Sequence, residues 1–355
     1  MSSFVSLGFP VSRAVAWYTR AYAPAITRNH QSGRKDSDLG DRYVAGKAVG
    51  APAVACLRSA LVIYQDPLAY LLGLEGMALL DAWAGEHDRA FTDARLAEIR
   101  RLLDDENLRD RGVRAEWTSS VTAYQQQSAG YDAHAGGGLF TIDEPVVAEF
   151  LGDRGPGVAL DAACGTGRFA DFLARRRHRV IGVDSSPDML AHARRRVPGG
   201  EFHVAELDRL PLPADSVDVI VCALALVHLP RLQPVLAEFA RVLRPGGDLV
   251  ISDIHHEHVA WGSVIKARGP AGEPLIVDTY RHKLGDYLRA ALSAGLEVRR
   301  CEEPTAARPD GPPPAAAAGI GDWQDWPWTL ADYLPPAARA AGHPTLVLWH
   351  FQRPR

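Results

Sequence analysis

Hydrophobic residues follow two different rhythms along this chain. Between residues 53 and 104 they recur at helical spacing: Leu68, Leu71, Leu72, Met77, Leu79, Leu80 and Trp83 make one stripe, with Phe91, Leu96, Ile99, Leu102 and Leu103 another. That pattern predicts a helical N-terminal region over residues 1–115, either a cap over the remainder of the chain or a dimerisation element. Its beginning is mixed, with aromatics at Trp17, Tyr18 and Tyr22 and a polar, loop-like run over residues 29–41. From Val158 onward, short apolar runs alternate with amphipathic ones. Strands are predicted over residues 158–161, 179–183, 217–222, 249–253, 296–301 and 345–351, and helices over 168–177 and 283–294. Such alternation predicts an α/β fold with a doubly wound, mostly parallel sheet, filling a second domain over residues 116–355. Residues 304–319 are rich in Pro and Ala and predict a flexible loop within a lid-like segment, 303–343.

The most telling stretch is Leu160-Asp161-Ala162-Ala163-Cys164-Gly165-Thr166-Gly167. An apolar strand ends in an acid, passes two glycines and opens into a helix. Glycine lets the backbone approach a ligand closely, and open α/β sheets bind ligands at the carboxyl ends of their strands. The next apolar run ends in Asp184, correctly placed to accept from ribose hydroxyls. A nucleoside-containing cofactor on a Rossmann-like sheet is therefore expected.

Charge separates the candidate cofactors. Gly165-Thr166-Gly167-Arg168-Phe169-Ala170 fits the dinucleotide pattern G-x-G-x-x-A, which alone discriminates poorly. A dinucleotide would bring an anionic pyrophosphate to the helix N-terminus, and Asp161 would repel it. S-adenosylmethionine carries no phosphate; its sulfonium and α-ammonium suit an acid. A plainer role for Asp161, capping backbone amides in the turn, stays open.

Residues 161–167 resemble the first motif of class I S-adenosylmethionine-dependent methyltransferases, D-x-G-C-G-T-G, and the rest of that pattern comes after it in order. Val183-Asp184-Ser185-Ser186-Pro187-Asp188-Met189-Leu190 is similar to the family's acidic strand end and next helix start. Ala205-Glu206-Leu207-Asp208-Arg209-Leu210-Pro211-Leu212-Pro213 is similar to its G-D-A-x-x-L-P-F-P segment. Ser216-Val217-Asp218-Val219-Ile220-Val221 resembles its fourth strand, and Arg241-Val242-Leu243-Arg244-Pro245-Gly246-Gly247 its R-V-L-K-P-G-G turn. Within the superfamily the likeness is to the small-molecule, ubiquinone/menaquinone-methyltransferase-like branch. It implies a seven-stranded sheet whose last strand lies antiparallel between the two before it. It also implies S-adenosylmethionine as cofactor, held by Tyr131, Asp161, Ala163, Gly165, Gly167, Asp184, Ser185, Met189, Glu206, Leu207 and Ala223, with Tyr131-Asp132 folding over it. Two positions depart from the pattern. Ala163 stands where the family has its first glycine, so this position is expected to accept a methyl group without positive φ. Glu206 stands where an Asp commonly meets the adenine amino group.

Composition narrows the setting. A formal net charge of −4 argues against a dedicated nucleic-acid binder, and 47% hydrophobic residues suffice for a full core. Arg175-Arg176-Arg177 and Arg194-Arg195-Arg196 are expected at helix ends, where cations favour the helix dipole. Cys56, Cys164, Cys222 and Cys301 share no C-x-x-C spacing, which fits a reducing cytoplasm without zinc or disulfides. Met1 to Pro10 lacks a signal-peptide pattern, and the apolar run 51–64 contains Arg58 and is too short to span a bilayer. A soluble, cytoplasmic protein is expected, with no membrane partner.

Methyl transfer is a direct displacement, so positioning supplies much of the catalysis, and a protic acceptor also needs a base. His228, after the strand 217–222, is one candidate; His255 and His256, beyond Asp253, are others, since histidine can take a proton at neutral pH. Adjacent histidines on a strand face opposite sides, so no metal is expected among His255, His256, Glu257 and His258. Tyr280, Arg281 and His282 either orient a substrate or form a helix-start loop. Trp323, Trp326 and Trp328 suggest the wall of an apolar or aromatic substrate pocket. The resulting expectation is methyl transfer from S-adenosylmethionine to O, N or C of a small organic molecule, in specialised metabolism. The alternatives are a non-methylating cyclisation or rearrangement on the same cofactor, and a non-catalytic binding subunit.

Overall fold

The structure is a computed structural model and describes residues 63–127, 139–305, 319–335, 338 and 343–355. Its first elements are strand β1 (Ile63–Gln65) and helices α1 (Pro67–Ala84) and α2 (Arg89–Asp104). Both helices begin on an aspartate. Asp66 accepts from the Ala69 amide and Asp88 from the Phe91 amide, satisfying donors that a helix start leaves open. Gly85 closes α1 in the left-handed conformation.

Strand β2 (Val113–Thr118), helix α3 (Ser120–Gln127) and helix α4 (Phe140–Leu151) come next. The expected all-helical N-terminal region is therefore corrected at two places. The run Val113-Arg114-Ala115-Glu116-Trp117-Thr118 alternates apolar and polar residues with period two, and it forms a strand rather than a helix tail. β1 pairs with it antiparallel.

The α/β part alternates as predicted. β3 (Val158–Ala162), α5 (Arg168–Arg175), β4 (Arg179–Asp184), α6 (Pro187–Arg196), β5 (Glu201–Val204), β6 (Val217–Ala223), α7 (Gln233–Val242) and β7 (Leu243–Ile254) succeed one another. After them stand α8 (His256–Ala260), β8 (Lys266–Arg268), β9 (Pro274–Val277), α9 (Leu284–Ser293), β10 (Glu297–Glu302), α10 (Trp328–Asp332) and β11 (Leu346–Gln352).

Seven strands form the main sheet in the order β10–β11–β7–β6–β3–β4–β5. β3 to β7 run parallel, while β11 is antiparallel to both β7 and β10, the arrangement the resemblance implied. Alternate residues serve opposite faces. Leu160, Ile181, Ile220 and Ile251 enter one core cluster, whereas Ala159, Val180, Val219 and Val250 enter the other. Burial on both faces explains why these strands read as continuous apolar runs.

A second sheet, β1–β2–β9–β8, joins the segment before residue 115 to the segment after it. β2 runs parallel to β9 through Glu116–Leu275, Trp117–Ile276 and Thr118–Val277. The boundary drawn at residues 115/116 thus falls inside a strand. Against this sheet and α1 pack Trp323 and Trp326, only 6% and 5% exposed, in one cluster with Leu71, Leu74, Leu102 and Ile276. Both indole N–H groups are satisfied, Trp323 by Gln65 and Trp326 by the Ile320 carbonyl. These two tryptophans are core residues and not the walls of a substrate pocket. The Trp328 side chain and most of the 304–319 loop lie outside the described residues.

Candidate active site

The site begins at the carboxyl end of β3. Ala163 takes φ +59°, so the expectation that its methyl group would forbid the left-handed region is corrected. That conformation costs an L-residue about 1–2 kcal/mol. Leu224, just past the end of the neighbouring β6, is likewise left-handed at φ +55°. Two strained residues at adjacent strand ends mark a place where the backbone is shaped for something other than stability. Gly165 (φ +52°) has nothing within 4 Å of where a side chain would start, and Gly167 (φ +87°) is pressed against the Ala193 backbone of α6. One glycine thus leaves open space and the other allows close helix packing.

Asp184 ties this loop to β4. Its Oδ2 accepts from the Gly165 amide at 2.8 Å and its Oδ1 from the Ser186 amide at 2.8 Å. Burial pushes its pKa upward while these amides pull it down. The carboxylate borders a cavity that also meets Ala163, Gly165, Ser185, Met189, Glu206, Leu207 and Ala223. Eight of the eleven residues assigned to the cofactor by resemblance therefore share one cavity. Of the other three, Gly167 shapes the loop, and Tyr131 lies outside the described residues.

Asp161 is the third. It lines an adjoining cavity that shares Ala163, Gly165, Ala223 and Leu224 with the first. It is 2% exposed, and burial pushes its pKa up to about 7. The Ala170 amide donates to it, so Asp161 does cap backbone in this turn. Its Oδ2 has no hydrogen-bond partner among the described residues. A buried acceptor left unsatisfied is costly unless a ligand supplies the donor. A cationic ammonium would supply it; a pyrophosphate would not. The donor set of this loop thus fits S-adenosylmethionine.

The far end of the first cavity is built by α3 and by a helical turn, Leu226–His228, after β6. His228 is buried there. Its Nδ1 meets the Asp278 carbonyl at 2.7 Å and its Nε2 the Tyr124 hydroxyl at 3.1 Å. Ser120, Val121, Ala225 and Leu229 complete this end. Tyr124 carried no functional assignment in the sequence, because nothing local to residues 120–127 links it to His228. Tyr280 and His282 find a role here: the Tyr280 amide donates to the Val227 carbonyl, and His282 Nε2 meets the Leu226 and Leu229 carbonyls. These two brace the turn, Arg281 donates instead to the His256 carbonyl, and none of the three lines the cavity.

His255 and His256 are not brought to this cavity. The strand ends at Ile254, and His255 instead caps α8, accepting from the Glu257 amide, while its Nε2 meets Glu303 at 2.8 Å. Their rings lie 4.4 Å apart, not on opposite faces, because the chain has already left the strand. Asp253 before them is buried against the Tyr287 hydroxyl at 2.7 Å. Cys164 and Cys222 are buried and free, as small packed residues near the loop; Cys56 lies outside the described residues.

Comparison with known proteins agrees with this geometry. The Methyltransferase domain family matches residues 160–251, the stretch from the glycine loop to β7. Malonyl-acyl-carrier-protein O-methyltransferase of Yersinia pestis is 37% identical over 105 residues, covering 29% of this chain and 39% of that protein. Methyltransferase GfsG of Streptomyces halstedii is 39% identical over 102 residues, covering 27% of this chain and 37% of that protein. The chain spans 36% to 52% of the length of its first relatives. Among solved structures, a chain from the complex of the Haloferax volcanii Trm112 methyltransferase activator with a methyltransferase superposes with a TM-score of 0.51. The two are 23% identical, and the match covers 66% of this chain and 98% of that one, which establishes the fold. The sheet order and the glycine loop agree with the match to the Methyltransferase domain family over residues 160–251.

Proposed function

We propose that this protein transfers a methyl group from S-adenosylmethionine to a small organic acceptor. The observation that carries the reading is Asp161, a buried carboxyl beside the glycine loop with one oxygen unpaired among the described residues. In this reading Asp161 holds the ammonium end, Gly165 gives the cofactor room, and Asp184 accepts from its ribose. Met189, Glu206 and Leu207 bound the adenine end, and Ala223 closes the floor at the tip of β6. When bound, the cofactor supplies a methyl carbon on a sulfonium, and the carbon–sulfur bond breaks with its electron pair left on sulfur.

The protein's own work is to hold the acceptor in line and away from water. At the free end of the cavity Val121, Leu224, Ala225 and Leu229 give an apolar lining beside Ser120, Tyr124 and His228, which supports an apolar or aromatic acceptor. A cytoplasmic setting and an acceptor from specialised metabolism belong to the same proposal; the free thiols of Cys164, Cys222 and Cys301 support the first. No helix among the described residues is long and apolar enough to cross a membrane. Leu80 and Trp83, 67% and 90% exposed on α1, support a homodimer through the N-terminal region, which sedimentation of wild-type protein against Trp83→Glu tests.

The test of the activity is release of S-adenosylhomocysteine from S-adenosylmethionine in the presence of small hydroxyl, amine and carboxylate acceptors. Release that depends on an acceptor and disappears in Asp184→Ala supports methyl transfer. Consumption of an acceptor without that release contradicts it.

A further inference from the structure

We propose, resting on the methyl-transfer reading, that Tyr124 and His228 form a proton relay serving a neutral hydroxyl acceptor, so that this chain methylates hydroxyl groups and not carboxylates. The geometry fixes the direction of the relay. The Asp278 carbonyl can only accept, so the hydrogen of a neutral His228 ring sits on Nδ1, 2.7 Å away. Nε2 then presents its lone pair to the Tyr124 hydroxyl at 3.1 Å. Burial holds the His228 pKa below its ordinary value, which keeps the ring neutral and ready to accept.

The frame around the pair is rigid. α3 comes directly after β2, which pairs with β9, and the Asp278 amide just beyond β9 donates back to the Thr118 carbonyl at 2.9 Å. One small sheet therefore carries both Tyr124 and the carbonyl that orients His228. This is a role for the second sheet that neither a cap nor a dimer contact describes.

Charge selects the acceptor. Among the described residues lining this cavity there is no Lys or Arg, while Asp184 and Glu206 are both acidic. Of the two arginines in the adjoining cavity, Arg168 is gripped by both oxygens of Asp143, and Arg196 is bonded to Thr166. A carboxylate acceptor would find no protein cation to hold it among the described residues lining this cavity, whereas a neutral hydroxyl needs none. A carboxylate also has no proton to remove, and the relay would have no use.

In the step itself the acceptor O–H bond breaks and its electron pair stays on oxygen to form the new bond to the methyl carbon. The proton passes to Tyr124 Oη as the proton of Tyr124 moves to His228 Nε2. The imidazolium returns that proton to water once the product leaves. Tyr124 is the catalytic residue that touches the acceptor; His228 acts through it.

The test uses the full chain with S-adenosylmethionine and three probes: phenol, aniline, whose neutral nitrogen attacks without first losing a proton, and benzoate. Expected is S-adenosylhomocysteine release with phenol, reduced about 100-fold in Tyr124→Phe and His228→Gln, and release with aniline that changes little in either variant. Preference for benzoate, or an equal loss with phenol and aniline, overturns the relay. Nitrogen-15 spectra of the His228 ring give a second readout that needs no acceptor. A neutral ring with hydrogen on Nδ1, perturbed by Tyr124→Phe, is expected, and hydrogen on Nε2 or a charged ring at neutral pH overturns the proposal. Failure of wild-type protein to bind S-adenosylmethionine would instead remove the methyl-transfer reading, leaving the ring spectrum to be judged separately.

Discussion

Asp184 holds Gly165 in place: the carboxylate at the tip of β4 accepts the glycine amide at 2.8 Å, and its other oxygen accepts from Ser186. The acid expected to meet the cofactor's ribose is thus also the clamp on the loop that surrounds the cofactor. Asp184→Ala leaves two backbone donors without their acceptor, each costing about 1–3 kcal/mol where water cannot reach. Urea unfolding is expected to show a loss of that order together with a fall in S-adenosylmethionine affinity. Asp184→Asn, which keeps one acceptor oxygen, is expected to lose less of both. Unchanged stability and affinity in Asp184→Ala would refute the clamp.

Ala163 carries the cost of a left-handed backbone that glycine would not. Ala163→Gly removes about 1–2 kcal/mol of strain and gives back part of it as unfolded-chain entropy and a lost methyl contact. The expected outcome is a net stabilisation of up to about 1 kcal/mol in chemical denaturation, with cofactor binding preserved. A destabilised Ala163→Gly protein would mean that the methyl contact outweighs the strain.

If Asp161 holds the cofactor's ammonium as proposed, cofactor affinity is expected to depend on pH. Its folded pKa, near 7, lies above the ordinary value of 3.8 because the carboxyl is buried, with Asp184 opposing ionisation and Arg168 favouring it. In the empty protein this group therefore favours folding below the ordinary value, and that contribution is lost as pH rises through about 7. A cationic ligand reverses the preference, since it stabilises the carboxylate. Affinity for S-adenosylmethionine is expected to rise as pH rises through 7, with proton release on binding, and Asp161→Asn is expected to flatten the dependence. Calorimetry in buffers of different ionisation enthalpy measures both; affinity that falls with rising pH would contradict the assignment.

Trp326 and Trp323 are packed between α1 and the small sheet. Replacing either by Ala is expected to cost about 3–5 kcal/mol of stability, as for other large-to-small core changes. The loss should appear in thermal or urea unfolding. A variant of normal stability that binds acceptor poorly would restore the pocket-wall role that the structure removes.

The end of the cavity around the glycine loop was legible in the sequence for a physical reason. Gly165, Asp184, Glu206 and Ala223 sit at or just beyond successive strand ends, so reading where apolar runs stop also locates the cavity they line. The end at Tyr124 and His228 was not. Tyr124 faces His228 only because β2 pairs with β9, a contact between segments far apart in the chain that no local period records. β2 did leave a local trace, the alternation from Val113 to Thr118, which the stronger helical rhythm before it obscured. The reading of His255 and His256 as candidate bases failed on a boundary: one residue beyond Ile254 the chain turns into α8, and His255 becomes a cap.

The most direct measurement is a calorimetric titration of the purified protein with S-adenosylmethionine, with NAD as comparator. Saturable binding of S-adenosylmethionine alone, weakened by Asp184→Ala, is the result predicted from the buried acid and the open glycine loop. Binding of NAD, or of neither, would contradict the assignment of this site.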